Sequence, residues 1–166
     1  MKKWVTLGLL CGACACNSGN SGQSTASDTT AAKMVDTSHN MPAMTPQEAM
    51  TPVPADAKVY FKNLKDGQTV SSPVTIEMGV VDMSVDSAGK IRPQSGHFHL
   101  LVDAGDSTPH GIVIGKDSAH IHFGNAQKET TLALKPGIHT LALQFADGLH
   151  RSYGAQLSQA IHVTVK

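Results

Sequence analysis

The chain has 166 residues, enough for one ordinary domain together with additional segments. Its formal net charge is zero, with 13 basic and 13 acidic residues, which excludes the basic footprint of a nucleic-acid-binding protein. Aromatic residues make up only 4% of the chain, whereas nine residues are histidine. Side-chain chemistry is therefore expected to come from histidine.

The N-terminus has the pattern of an export signal. A pair of lysines precedes an apolar stretch over residues 4–15, which is shorter than the roughly 20 residues a membrane-spanning helix needs. Ala15 followed by Cys16 fits a lipobox, in which the cysteine becomes the lipidated first residue, and Cys14 is the alternative. We predict a lipoprotein signal peptide over residues 1–15 and a lipid anchor on Cys16, which makes the membrane the expected partner.

The residue after the predicted anchor indicates the location. Asn17 follows Cys16, where lipoproteins that enterobacteria retain in the inner membrane carry aspartate. We therefore expect an exported protein of the outer membrane that faces the periplasm. With Cys16 as the anchor, the mature protein has no free thiol and no disulfide, so its stability depends on packing.

The segment that follows is predicted to be a disordered tether over residues 16–54. It is rich in Ser, Thr, Ala, Asn and Pro and contains few bulky apolar residues, so it cannot bury enough surface to offset its ordering entropy. Within it, His39, Met41 and Met44 carry imidazole and thioether groups, which are soft ligands suited to copper(I). This Met/His arm is a candidate soft-metal site. The alternative is that methionine is simply tolerated in a linker.

Residues 55–166 consist of short segments with alternating apolar residues, separated by Gly and Pro turns. No segment keeps a helical period beyond two turns. Seven strands are predicted, marked by Val59 and Phe61, by Val74, Ile76 and Met78, by Phe98, Leu100 and Val102, by Ile121 and Phe123, by residues 130–134, by Leu141, Leu143 and Phe145, and by Ile161, Val163 and Val165. This pattern predicts an all-β domain, an immunoglobulin-like antiparallel β-sandwich of about seven strands.

Two H-x-H pairs lie on predicted strands. Because alternate side chains share one face of a strand, His97 and His99 project from the face opposite Phe98, and His120 and His122 form a second such pair. If the two strands are neighbours, up to four imidazoles converge, which suits copper or zinc. The sequence therefore predicts one copper(II) or zinc ion bound through at least three imidazoles. A single exposed pair would more often be solvated.

The other histidines divide differently. His150 lies in a turn after a strand, where it either completes the metal site or is an ordinary turn residue. His139 shares its parity with Leu141 and stands where the corner of immunoglobulin-like domains keeps a tyrosine, so it is expected to be a hydrogen-bonded inward residue. His162 is expected to be exposed and without a role.

These motifs also carry a resemblance to a known family. The matching segments are P-A-D-A-x-V-Y-F-x-x-L-x-D-G-x-x-V-x-S-P-V at 54–74, G-H-x-H-L-L at 96–101, H-x-H-F-G at 120–124, L-x-P-G-x-H-T-L at 134–141 and D-x-x-H at 147–150. They resemble the bacterial domain-of-unknown-function family 4399, small secreted β domains. Phe98 replaces the family's middle histidine, and residues 151–154 depart from its Pro-rich run. The resemblance implies a fold and a set of positions, but no reaction.

Three functions are compatible with the sequence. The first is a metal-binding module for storage, delivery or resistance, working with a metal-handling partner in the periplasm. The second is a non-catalytic adhesion or interaction module in which the histidines are structural. The third is a redox enzyme similar to copper–zinc superoxide dismutase, although the disulfide cysteines and the metal-bridging pattern of those enzymes are missing. The fold cannot choose among them, because sandwiches carry all three.

Overall fold

Two packed β-sheets make up residues 49–166, the part of the chain described by the computed structural model. The predicted signal peptide, the predicted anchor Cys16 and the Met/His arm (His39, Met41 and Met44) lie outside the described residues. Within residues 49–166, no helix is long and apolar enough to span a membrane.

Nine strands and one 3₁₀ turn form the described domain. In chain order the strands are β1 (Lys58–Phe61), β2 (Gln68–Val70), β3 (Val74–Val81), β4 (Ser84–Val85), β5 (Ser95–Val102), β6 (His120–His122), β7 (Glu129–Leu132), β8 (Gly137–Ala146) and β9 (Ser158–Val165). The 3₁₀ turn, Ala155–Leu157, directly precedes β9. The seven predicted strands are all present, and β2 and β4 are additional short strands that the apolar pattern did not reveal.

The smaller sheet has the order β1-β3-β7, and the larger has the order β2-β9-β8-β5-β4, with β6 also paired to β5. Strand β5 is therefore an interior strand of the larger sheet: β8 lies along one side, and β4 and β6 lie along the other. The strands pair antiparallel except for β2 with β9 and β4 with β5, which are short parallel pairs. The prediction of an all-β sandwich is confirmed, and its immunoglobulin-like detail stays a prediction.

The hydrophobic core lies between the sheets and follows the alternation of the sequence. Phe98 and Leu100 of β5 point into it, as do Leu143 and Phe145 of β8, and all four are completely buried. The rings of Phe98 and Phe145 meet edge to face with their centroids 5.0 Å apart. Because the core takes these alternate residues, the residues between them must lie on the outer face of the larger sheet.

Part of that outer face is shielded from solvent. His97, His99, Leu101 and Gln144 lie on it, yet each is 0–1% exposed. The segment over residues 103–119, which connects β5 and β6, reaches this face. Gln144 secures it, because its Oε1 accepts a hydrogen bond from the amide of Thr108 at 2.8 Å. The outer face of the larger sheet is thus covered around His97, His99 and Gln144, whereas Ile138 and His162 on the same face are exposed.

The corner before β8 is held by His139. Its Nδ1 lies 2.7 Å from Oδ2 of Asp103 and its Nε2 lies 2.9 Å from the carbonyl oxygen of Lys135. The Asp103 hydrogen bond, followed by that of the Lys135 carbonyl, raises the pKa of His139 above its ordinary value. The imidazole is hydrogen-bonded as predicted, but it lies at the rim of the sandwich and not in the core.

Contacts with the sandwich begin before residue 55. Met50 and Val53 pack against the core, and the hydroxyl of Thr51 lies 3.3 Å from that of Tyr153. Nε2 of Gln156 donates a hydrogen bond of 2.7 Å to the carbonyl of Pro54. The predicted boundary between tether and domain stays a prediction, but the last residues of the predicted tether contact the domain.

Candidate metal centre

Strand β5 supplies two buried imidazoles. His97 and His99 project from its outer face and are 0% and 1% exposed, respectively. Nε2 of His97 lies 3.1 Å from Nε2 of His99. A buried imidazole needs partners for its polar nitrogens, because an unpaired buried polar group costs free energy. Both Nδ1 atoms are nevertheless buried without a hydrogen-bond partner within residues 49–166.

Strand β6 supplies a third imidazole. His122 lies directly opposite His99 in the antiparallel pairing of β5 with β6, so the two rings share one face. Their centroids are 5.0 Å apart. The ring of His122 also lies over Gly124, where an added Cβ would come within 2.3 Å of its Cε1. The glycine of the H-x-H-F-G motif therefore leaves room for the His122 ring.

His120, the other member of that motif, is not part of the group. It pairs with Leu101, two positions further along β5 than His99, and its Nδ1 lies 2.9 Å from Oδ1 of Asp117. Its side chain is 30% exposed. His120 lies on the same face as His122, but its hydrogen bond directs it to the loop before β6.

The turn after β8 supplies the fourth imidazole, His150, whose Nδ1 lies 3.1 Å from Nε2 of His97. His150 has a left-handed backbone with φ of 66°. Oδ1 of Asp147 accepts hydrogen bonds from the amides of Leu149 and Arg151 at 2.9 Å each, and its Oδ2 is 2.7 Å from Nε of Arg151. The buried carboxylate thus fixes the turn that presents His150.

These elements bring His97, His99, His122 and His150 together. One ligand nitrogen from each ring lies within 4.8 Å of every other. In a tetrahedral site with metal–nitrogen bonds near 2.0–2.1 Å, neighbouring nitrogens would be about 3.4 Å apart. Two of the distances are already 3.1 Å, so small side-chain movements would bring all four rings onto one ion. The cluster can hold a metal ion.

The surroundings keep the buried imidazoles neutral. Burial, followed by the charges of His122 and His150, lowers the pKa of His97 to about 4, although Asp147 acts in the opposite direction. Burial, with the neighbouring imidazoles adding to its effect, lowers the pKa of His99 to about 2. Burial and then His150 and Lys116 also lower the pKa of His122. Neutral imidazole is the form that binds metal.

Replacing Asp147 with alanine is expected to lower the free energy of unfolding by about 3 kcal/mol, because it removes one side of a buried ion pair. It also removes the acceptor that holds the turn, so metal affinity should fall with stability. Urea unfolding and calorimetric titration of the same preparation measure the two effects.

Asp117→Ala is the matched control for that experiment. Asp117 is also hydrogen-bonded to backbone amides and a histidine, but its side chain is 60% exposed. Its loss should lower the free energy of unfolding far less than the loss of Asp147, because interactions of an exposed charge are weakened by solvent. Equal losses in the two variants would show that the buried turn has no special role.

The sequence singled out five candidate ligands in the domain, and the structure brings four of them together. The three on the strands follow from the alternation of β5 and β6. Asp147 and Arg151 were not singled out as site residues, although the D-x-x-H spacing of Asp147 and His150 was a signal for Asp147. The candidate arm residues His39, Met41 and Met44 lie outside the described part of the chain.

A known family matches the part of the chain that contains the four clustered histidines. The model of a family described as "Domain of unknown function (DUF4399)" matches residues 76–166, more than half of the chain. All four clustered histidines lie within that match. Neither the curated proteins nor the solved structures include a significant match.

Proposed function

The chain belongs to this family, whose description assigns no activity, and we therefore propose from its own side chains that it is an exported metal-binding lipoprotein. Its four-histidine cluster binds one copper or zinc ion for storage, delivery or resistance. One observation carries the proposal: His97, His99, His122 and His150 come from separate parts of the sequence and converge within 4.8 Å.

The hydrogen-bond partners of the clustered histidines support a metal-binding role over a purely structural one. Structural histidines usually satisfy both ring nitrogens, as His139 does at its corner. In the cluster, by contrast, the rings of His97, His99 and His150 mainly face one another. Imidazole lone pairs that point at a common centre are the arrangement that a metal ion stabilises.

Calorimetric titration with copper and zinc tests the proposal. The chain used is full length with Cys11, Cys14 and Cys16 replaced by serine, so that no thiol competes for metal; it is called the cysteine-free chain below. We expect one ion to bind with a dissociation constant far below millimolar, and His99→Ala/His122→Ala to lose that affinity. A cysteine-free chain with only millimolar affinity would end the proposal.

Replacement of His120 and His162 is the matched control. Both histidines pair with an exposed aspartate, Asp117 and Asp66 respectively, and neither belongs to the cluster. His120→Ala/His162→Ala removes as many imidazoles as the test variant. Equal loss of affinity in both double variants would indicate non-specific binding by surface histidines.

The lipoprotein part of the proposal rests on the Ala15-Cys16 lipobox after an apolar leader. Cys16→Ala is expected to move the protein from the membrane fraction to the soluble extracytoplasmic fraction, since it removes the lipidated residue. Cell fractionation with immunodetection measures the change, and Cys14→Ala serves as control. Release by Cys14→Ala alone would assign the anchor to Cys14.

A further inference from the structure

The arrangement of the four rings is close to tetrahedral. The six distances between their centroids are 4.9, 5.0, 5.0, 5.0, 6.0 and 4.7 Å. A tetrahedron makes all six distances equal, whereas the square geometry of copper(II) or nickel(II) makes two diagonals about 1.4 times the sides. Only the distance between His99 and His150 is clearly longer than the rest, so the cluster does not form a square.

A tetrahedral set of nitrogens favours ions with a filled d shell. Zinc(II) and copper(I) are both d¹⁰ ions and have no geometric preference from d electrons. Copper(II) prefers tetragonal coordination, which the rings would reach only by flattening. Two of the four rings, His97 and His99, belong to a covered β-strand and are fully buried, so flattening would disturb the sheet.

The charges around the site distinguish between zinc(II) and copper(I), the two d¹⁰ ions. Imidazole binds a metal ion in its neutral form, so the four histidines add no charge. Asp147, the carboxylate that acts on His97, is paired with Arg151 at 2.7 Å. Lys116 adds a positive charge that acts on His122. The Born cost of burying an ion grows with the square of its charge, so the desolvation free energy of zinc(II) is about four times that of copper(I). A site without a compensating negative charge therefore favours copper(I).

The second ring nitrogens of the buried ligands, like the charge of the site, favour copper(I) over zinc(II). A histidine ligand of zinc commonly donates its second ring N–H to a carboxylate or carbonyl, which makes the ligating nitrogen more basic. Nδ1 of His97 and Nδ1 of His99 are buried without such an acceptor in the described domain. Their ligating nitrogens are correspondingly weaker donors for a divalent ion.

From the tetrahedral arrangement, the neutral ligands and the paired carboxylate, we propose that the cluster binds copper(I) in preference to zinc(II) and copper(II). This inference rests on the proposed function, because it assigns the ion held by the same site. It also predicts that bound copper is stabilised in its reduced form, with the reduction potential raised by about 59 mV for each tenfold preference for copper(I) over copper(II).

The first test measures the affinity of the cysteine-free chain for each ion separately. Copper(I), prepared with ascorbate under nitrogen, competes against bicinchoninate, and zinc(II) competes against a chromophoric zinc chelator. The affinity lost in His99→Ala/His122→Ala is assigned to the cluster, which separates it from binding by the Met/His arm. We expect the cluster to bind copper(I) at least a thousandfold more tightly than zinc(II).

A pair of variants at position 150 isolates the role of charge. Aspartate and asparagine place an oxygen as far from the backbone as Nδ1 of histidine, and both tolerate the left-handed backbone found there. His150→Asp adds a negative ligand, whereas His150→Asn adds a neutral one of the same shape. We expect the zinc(II) affinity relative to copper(I) to rise at least tenfold in His150→Asp compared with His150→Asn.

The outcomes separate this inference from the proposed function. If no ion loses affinity in His99→Ala/His122→Ala, both are overturned. If zinc(II) or copper(II) binds to the cluster as tightly as copper(I), the metal site stands and the preference for copper(I) is overturned. If the ratio of zinc(II) affinity to copper(I) affinity is the same in His150→Asp and His150→Asn, the argument from charge is also overturned.

Discussion

Metal at a thousand times its dissociation constant is expected to raise the melting temperature of the cysteine-free chain by about 15 °C. A ligand that binds only the folded state at this excess contributes about 4.1 kcal/mol. For a domain of this size, 1 kcal/mol corresponds to about 4 °C in melting temperature. The folded state alone brings together His97, His99, His122 and His150, so the unfolded chain offers the ion a much weaker site. Differential scanning calorimetry with and without metal measures the shift.

The variant His99→Ala/His122→Ala should lose this shift. His99 and His122 face each other across β5 and β6, so replacing both leaves two ligands from separate elements. The control variant His120→Ala/His162→Ala should keep the full shift. A metal-dependent rise of the same size in both variants would place the binding outside the cluster, and the Met/His arm would then be the first segment to test.

Without metal, the stability of the domain is expected to fall steeply as the pH drops from 6.5 towards 4. In this range the unfolded chain binds protons on histidine, whose ordinary pKa is 6.5, while His97, with a pKa of about 4, and His99, with a pKa of about 2, stay neutral in the folded state. The unfolded state therefore gains protons that the folded state does not. Each of the two groups lowers the free energy of unfolding by about 1.4 kcal/mol per pH unit.

The sign of this dependence is fixed by the direction of the pKa shifts. Above about pH 7 both states are neutral at these positions, and the two histidines make stability independent of pH. The decrease in the free energy of unfolding that His97 causes stops near pH 4, where it totals about 3 kcal/mol. The decrease that His99 causes continues at lower pH. Urea unfolding at half-unit pH intervals, in the presence of a metal chelator, measures the slope.

A variant without these two groups tests their assignment. His97→Gln/His99→Gln has no group that titrates at either position, so its slope between pH 6.5 and 4 should be flatter by about 2.8 kcal/mol per pH unit. NMR titration of the metal-free chain gives a second measurement, since the ring signals of His97 and His99 should not move near pH 6.5. Titration of both rings near 6.5 would show that they are not buried.

Part of the site could be read from alternation alone. The apolar residues Phe98 and Leu100 had to face a core, and a strand places neighbouring side chains on opposite faces, so His97 and His99 had to share the other face. The same reasoning placed His122 on one face of its strand. Local sequence was sufficient here because the direction of a strand side chain depends only on its parity.

The sequence alone did not decide which strands are neighbours or what covers them. Pairing of β5 with β6 places His122 opposite His99, and nothing in either strand encodes that register by itself. The segment over residues 103–119 then hydrogen-bonds to Gln144 on the outer face, and His97 and His99, which were predicted to project from that face, are fully buried. Burial, and with it the lowered pKa of His97, results from this long-range packing.

His120 and His150 show the same division. By parity His120 was as good a candidate as His122, but a hydrogen bond to Asp117, three residues earlier, holds its ring. His150 lies in a turn without a repeating pattern, and the buried carboxylate of Asp147 sets its position. The sequence by itself determined the all-β class, the core residues and the faces of the paired histidines, because these depend on strand periodicity. The tertiary structure decided which imidazoles converge and how far they are buried, because both depend on contacts between residues far apart in the chain.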